Sequence, residues 1–220
     1  MLGSPNGAQR ASRHQVPSGL RSRSLLRPLF AASLLASLIA TPAAATASTV
    51  TAPTATSVTT SAISRPWLSQ EQYYLSLVNC TRTGGWVLSN GTCRAYGSGR
   101  YSAYVAPIRL IPRISDVVAR PYAKLLATTN QCSHFLRGSP GDRLRAAGYY
   151  GYTWGENIGC RNGYATVKSA ILASHLNFQA EKSTNGGHWK NIKNAKFRYI
   201  GIGVWSASGR VRLVTDFYTS

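Results

Sequence analysis

The sequence predicts an α+β domain, because stretches with helical periodicity precede a C-terminal stretch in which side chains alternate with a period of two. Residues 199–205 and 211–217 both alternate in this way, and Ala207-Ser208-Gly209 supplies a turn between them. This pattern is typical of an antiparallel hairpin. A further strand is expected over residues 154–160, so the helices are expected to flank an antiparallel sheet and not a parallel one.

The first helix is marked by its start signals. Ser69 is expected to be the N-cap, and Gln72, three residues later, completes a capping box. Leu68 and Tyr73 match a hydrophobic staple around that cap. The pair Gly84-Gly85 ends the helix.

Two more helices are expected further along the chain. One covers residues 115–129, and Pro121 should kink it or mark its real start. Its expected buried positions are Val117, Val118, Tyr122, Leu125 and Leu126. The other helix covers residues 165–180, where apolar side chains recur at helical spacing around His175.

The N-terminal 47 residues match a signal peptide. Five arginines and no acid come first, an apolar run of 12 residues follows at positions 29–40, and small residues that fit an A-x-A cleavage site occupy positions 43–47. The apolar run is too short for a membrane-spanning helix, which needs about 20 residues. We therefore expect residues 1–47 to be removed on export, residues 48–66 to be a Thr/Ser/Ala-rich linker, and residues 67–220 to form one domain.

The chain is strongly basic. It has 25 Lys and Arg against 6 Asp and Glu, a formal net charge of +19, which falls to +14 when the five arginines of residues 1–47 are removed. A hydrophobic content of 44% argues against wholesale disorder. For an exported protein of this charge, anionic cell-envelope polymers or a phospholipid surface are expected partners, and nucleic acid is not. Only six residues could serve as a catalytic carboxylate: Glu71, Asp116, Asp142, Glu156, Glu181 and Asp216.

All four cysteines lie in the predicted domain, and an even number in an exported protein indicates two disulfides. Four cysteines can pair in three ways, which the sequence alone does not distinguish. The local pairing, Cys80 with Cys93 and Cys132 with Cys160, is the one we expect. A metal cluster or a reactive thiol is less favoured because no C-x-x-C spacing occurs.

Several familiar catalytic motifs are missing from the sequence. It contains no G-x-S-x-G, no H-E-x-x-H and no G-x-x-x-x-G-K-[ST]. What remains is a set of histidines and glutamates in segments rich in Gly and Asn: His134, Glu156, Glu181 and His188.

The blocks around these residues resemble a known family. They are, in chain order, Asp142-Arg143-Leu144 before Gly148-Tyr149, then Gly155-Glu156-Asn157-Ile158, then residues 187–192 (GHWKNI), then residues 197–204 (FRYIGIGV). In this order they resemble the CAP superfamily, which comprises the cysteine-rich secretory proteins, antigen 5, the pathogenesis-related 1 proteins and bacterial relatives. The resemblance covers residues 68–218.

The resemblance implies a three-layer α-β-α sandwich with a central antiparallel sheet and a cleft lined by two histidines and two glutamates. These four correspond to His134, Glu156, Glu181 and His188, and we call them the cleft tetrad. Neutral imidazoles and carboxylates suit a divalent metal such as zinc, with His134 and His188 as the ligands and no organic cofactor.

Three functions remain open on the sequence. The leading one is a secreted CAP-type binding module whose cleft takes a divalent metal and a lipid, small apolar or envelope-derived ligand. The alternative is a metal-dependent hydrolase of peptides or cell-wall material, with Glu156 or Glu181 as general base. The third is an electrostatic surface binder that makes no use of the cleft. The tetrad could also be a purely structural polar network, and His175, on an apolar helix stripe, is expected in the core.

Overall fold

A computed structural model describes residues 65–151 and 153–219. The predicted signal peptide, and the predicted linker up to residue 64, lie outside the described residues. Within them, the helices are α1 (Leu68–Arg82), α2 (Pro112–Ile114), α3 (Arg120–Thr128), α4 (Pro140–Ala146), α5 (Val167–Ala180) and α6 (Gly187–Lys193). The strands are β1 (Trp86–Val87), β2 (Cys93–Arg94), β3 (Arg109–Leu110), β4 (Trp154–Asn162), β5 (Tyr199–Ala207) and β6 (Arg210–Tyr218).

The main sheet has four strands in the order β3-β5-β6-β4. Strands β5 and β6 form the predicted antiparallel hairpin, whose turn residues Ser208 and Gly209 both have positive φ. Strand β4 pairs antiparallel with β6 along its whole length, and the short β3 adds a parallel edge beside β5. Strands β1 and β2 form a separate two-stranded ribbon.

Helices cover both faces of this sheet, so the predicted α+β class and three-layer α-β-α arrangement are confirmed. Side chains of α1, α5 and α6 form the larger core with the apolar side chains of β5 and β6. On the other face, α3 and the segment before it pack against Ile158 of β4 and Val214 of β6. Helix α4 lies on this second face, where Leu144 contacts Ile114, Val118 and Tyr218.

Strand β5 shows why its side chains alternate. Ile200, Ile202 and Val204 are fully buried in the larger core. Gly201 and Gly203 point to the opposite face, where a Cβ at Gly203 would overlap the backbone of Ala119. The helical segment therefore packs directly on the glycine backbone of the sheet.

The segment 112–128 is helical throughout but not uniform. Between α2 and α3 lies a π-helical turn, Ser115–Ala119, and Pro121 stands in the first turn of α3. Proline cannot donate the usual backbone hydrogen bond and clashes with the carbonyl four residues earlier, which a π-turn accommodates. The turn also shifts the helical phase, so Val117, which we expected to be buried, is 46% exposed.

The first helix begins one residue earlier than its sequence signals suggest. Trp67 is the N-cap, without a side-chain hydrogen bond, and the Ser69 hydroxyl donates to the side chain of Gln70. Capping boxes do form at α4, between Ser139 and Asp142, and at α5 after Thr166.

The structure contains the disulfides Cys80–Cys93 and Cys132–Cys160, which is the local pairing. The first joins α1 to β2, and the second joins the loop before α4 to β4. Across residues 65–151 and 153–219, no helix has the length and apolar character needed to cross a membrane.

Candidate functional site

The four residues of the cleft tetrad line one cavity of about 470 Å³. Glu156 belongs to β4, which is the outer strand of the sheet on that side. His134 comes from the loop before α4, Glu181 from a 3₁₀ turn (Glu181–Thr184) and His188 from the first turn of α6. The cleft therefore lies at the edge of the sheet and draws side chains from both helical layers.

The first half of the tetrad is a histidine-carboxylate pair. The His134 ring is partly exposed, and its Nδ1 lies 2.7 Å from Oε1 of the buried Glu156 carboxylate. The other oxygen, Oε2, accepts a hydrogen bond from the guanidinium of Arg143 in α4. Both oxygens of Glu156 are therefore engaged. An ionised carboxylate can only accept hydrogen bonds, so Nδ1 of His134 carries the proton.

The second half repeats this arrangement. Nδ1 of His188 lies 2.5 Å from Oε1 of Glu181, and the backbone N–H of His188 donates to Oε2 at 2.9 Å. Burial alone would raise the pKa of the Glu181 carboxyl, but the hydrogen bonds from His188 and the neighbouring backbone bring it below its ordinary value. The His188 ring also stacks on Phe178 of α5, with 4.3 Å between ring centroids.

The two imidazoles share one property that matters for binding. Each uses Nδ1 for a carboxylate, and its Nε2 makes no hydrogen bond to any residue in the described part of the chain. A neutral imidazole with its proton on Nδ1 has a lone pair on Nε2, the form in which histidine binds metals. Among the described residues, no group of three or more His, Cys, Asp or Glu side chains is placed to hold a metal ion.

Two asparagines connect the halves of the cleft. The Asn157 amide donates to the backbone carbonyl of His188 at 3.0 Å. The Asn191 amide donates to the carbonyl of Glu156 at 3.1 Å and to the side-chain oxygen of Asn157 at 2.8 Å. Helix α6, which carries His188, is thereby held against β4. Both asparagines lie in the sequence blocks that carry the family resemblance, but the sequence gave no role to either.

Asp216 lies beneath the cleft and was also missed as a site residue. In the β4–β6 register it stands directly opposite Glu156. Its side chain is fully buried, and neither carboxyl oxygen has a hydrogen-bond partner in the residues that the structure describes. Burial raises the pKa of Asp216 well above its ordinary value, the negative charge of Glu156 adds to this, and Arg143 opposes it. The site therefore favours the protonated, neutral form of Asp216.

His175 lies outside the cleft. It is fully buried in α5, with Nε2 2.9 Å from the Thr81 hydroxyl and its ring edge-on to Tyr74. Burial lowers the pKa of His175 to about 3. It is a core histidine, as its place on an apolar helix stripe indicates.

No model of a known protein family matches the chain, and no curated protein matches it. Solved structures do. An extracellular protein containing an SCP domain from Bacillus anthracis is 21% identical, with a TM-score of 0.48, over 70% of this chain and 41% of that one. A cysteine-rich secretory protein from Staphylococcus aureus is 14% identical, with a TM-score of 0.40, over 69% of this chain and 39% of that one.

A third similar structure is that of NaASP2 with Zn²⁺, which is 17% identical, with a TM-score of 0.38, over 67% of this chain and 78% of that one. The chain thus spans about two fifths of the two bacterial proteins and most of NaASP2. The names of these proteins agree with the CAP resemblance of the sequence. Likeness at this level concerns the fold alone.

Proposed function

We propose that the protein is a secreted binding module whose cleft takes a divalent metal ion such as zinc on His134 and His188. The pairing of each imidazole with a carboxylate carries this proposal. Glu156 and Glu181 fix the ring orientation and the tautomer of the two histidines, and they make each Nε2 a better ligand.

The chemistry of the donors fits zinc. Imidazole nitrogen is a preferred zinc ligand, and two protein ligands leave coordination positions for water or for a bound ligand. In such a site the metal would supply a Lewis acid that holds an oxygen or nitrogen atom of that ligand. The concentration of two carboxylates in a strongly basic chain further favours a cation at this point.

The contacts favour binding over hydrolysis. A general base must have a carboxylate oxygen free to accept a proton from water. Glu156 already accepts from His134 and Arg143, and Glu181 accepts twice from His188. These contacts support the binding module more than the metal-dependent hydrolase.

The proposal includes export and a surface role. The two disulfides fit an oxidising compartment. The excess of Lys and Arg favours anionic envelope polymers or phospholipid headgroups as the surface near which the protein acts. The ligand proposed for the cleft is correspondingly an envelope-derived or lipid molecule that a bound metal could hold.

Zinc titration calorimetry on the EDTA-treated protein tests the metal site. We expect the wild type to bind one zinc ion and His134→Ala or His188→Ala to lose about 100-fold or more in affinity. Glu181→Gln should lose about 10–100-fold, because the amide orients the ring less firmly than the carboxylate does. His175→Ala is the control, since it removes a histidine that lies outside the cleft. A wild type that takes up no zinc, or a His188→Ala variant that binds it unchanged, would contradict the proposal.

A further inference from the structure

A second cavity, of about 670 Å³, lies on the face of the sheet that α3 and α4 cover. Its apolar lining comes mainly from Val117, Pro121 and Leu125, with Ala146 of α4 opposite. We call it the α3–α4 groove. None of the four tetrad residues lines it, and its volume lies within the range of small-molecule sites, about 300–1,000 Å³.

The exposure of Val117 is the first sign that the groove is a surface for a ligand. At 46% exposure, Val117 presents a β-branched apolar side chain to solvent. It does so because the π-helical turn that precedes Pro121 rotates this position away from the sheet. Apolar surface in a concave site gains free energy when a ligand covers it.

Arg143 supplies an unused polar group at the same groove. Its side chain is nine-tenths buried, and the guanidinium lies over the Tyr122 ring, 3.6 Å from the centroid. Two of its nitrogens donate to the carbonyls of His134 and Gly138 and to Glu156. Its Nε has no hydrogen-bond partner in residues 65–151 or 153–219. A buried donor without an acceptor is unfavourable, and an acceptor atom on a ligand would remove that cost.

The charges around the groove favour a negative ligand. Lys124, Arg137 and Arg143 line it, against the single carboxylate of Asp142. Asp142 is itself engaged, because it accepts hydrogen bonds from Ser139 and forms an ion pair with Arg145. The groove therefore combines an apolar wall with an excess of positive charge and one free buried donor.

We propose that the α3–α4 groove binds an amphiphile that has one apolar chain and a carboxylate head. The chain lies against Val117, Pro121 and Leu125, and the carboxylate accepts the hydrogen bond that Nε of Arg143 has to offer. This site does not depend on a metal in the cleft, although Arg143 takes part in both places through its contact with Glu156.

The test compares three probes by calorimetry, each kept below the concentration at which it forms micelles. Dodecanoate has the chain and the carboxylate, butanoate has the carboxylate with little chain, and dodecyltrimethylammonium has the chain with the opposite charge. We expect dodecanoate to bind at least about tenfold more tightly than either of the others. Equal binding of dodecyltrimethylammonium, or no binding of dodecanoate, would overturn the proposal.

Two substitutions at Val117 place the ligand. Because this side chain is half exposed, Val117→Asp and Val117→Lys should both fold, and they remove the same apolar surface while adding opposite charges. We expect Val117→Asp to weaken dodecanoate about tenfold or more, and Val117→Lys to stay within about threefold of the wild type. Tyr104→Asp makes the same charge change at an exposed position that does not line the groove, and it should bind dodecanoate unchanged.

His188→Ala separates this proposal from the metal site. It should bind dodecanoate as the wild type does, whatever happens to zinc. If His188→Ala loses dodecanoate and Val117→Asp keeps it, the ligand lies in the cleft and the groove proposal is wrong. If Val117→Asp and Tyr104→Asp weaken dodecanoate equally, the binding follows the net charge and the groove is likewise excluded.

Discussion

Two buried ionisable residues, His175 and Asp216, both stay neutral in the folded protein. His175 does so because its charged form would be desolvated beside Tyr74 and Thr81, which lowers its pKa to about 3. Asp216 does so because a second negative charge opposite Glu156 is unfavourable inside the sheet. The two make opposite contributions to the pH dependence of stability. Acid weakens the fold through His175, whereas Asp216 contributes stability in its protonated form.

At the scale of this single residue, His175→Gln should flatten the acid side of the stability profile. The ordinary pKa of histidine is about 6.5, so below that pH the unfolded chain takes up a proton that the folded protein refuses until about pH 3. The free energy of unfolding of the wild type therefore falls by about 1.4 kcal/mol per pH unit through this window because of His175. Glutamine does not titrate and can still bond to the Thr81 hydroxyl.

Urea unfolding, followed by tryptophan fluorescence at pH 7 and pH 4.5, measures this contribution. Between these two pH values the wild type should lose about 2–3 kcal/mol more than His175→Gln does. All other titrating groups are common to the two proteins and cancel in the comparison. Parallel loss in both would show that His175 is protonated in the folded state well above pH 3.

At the scale of elements, the close contact between β5 and the helical segment 112–128 depends on two glycines. Gly203→Ala should destabilise the fold by about 1–3 kcal/mol, because its Cβ would overlap the backbone at Ala119 and force the helix away from the sheet. Gly187→Ala is the matched control, since a Cβ there meets no atom within 4 Å. Thermal unfolding of both variants gives the comparison. A Gly203→Ala protein as stable as Gly187→Ala would mean that the helix can shift without cost.

The elements themselves could largely be predicted from the sequence, because their signals are local. Helix α5 and the β5–β6 hairpin follow from periodicity and turn residues a few positions apart. The phase of the segment around Pro121 could not be predicted, since the π-helical turn depends on how the helix packs on Gly201 and Gly203, about 80 residues further on. The exposure of Val117 follows from that packing.

The site divides in the same way. The four tetrad residues were identified from sequence blocks that resemble a family, and the structure brings them to one cavity. The roles of Arg143, Asn191 and Asp216 could not be seen, because each depends on a contact between distant segments. Asp216 lies opposite Glu156 only through the β4–β6 register, and no property of the residues next to it indicates that partner.

At the scale of the whole molecule, the cleft is assembled from separate layers that must be held together. His134 lies in an irregular loop, and the disulfide Cys132–Cys160 fixes that loop to β4, which carries Glu156. The disulfide Cys80–Cys93 instead joins α1 to β2, and neither of its segments lines the cleft. The two disulfides close loops of 28 and 13 residues, so the loop-entropy model gives them similar contributions to stability, about 3.6 and about 3 kcal/mol.

This difference in position leads to a prediction about the proposed zinc site. Cys132→Ser/Cys160→Ser should weaken zinc binding much more, by about tenfold or more, than Cys80→Ser/Cys93→Ser does. The His134 loop would then have to be ordered at the moment of binding, and the free energy of ordering it is subtracted from the affinity. Because the two double variants lose similar stability, general loosening of the fold does not account for a difference between them.

Calorimetric zinc titration of the two double variants, at a temperature where circular dichroism shows both to be folded, measures the effect. The two should differ in affinity while they retain the same stoichiometry, since His134 and His188 are present in both. Equal losses would leave the zinc site in place and show that the His134 loop is held by other contacts, such as the hydrogen bond that Arg143 donates to the carbonyl of His134. A greater loss on removing Cys80–Cys93 would contradict the view that the disulfide nearest the cleft preorganises the metal ligands.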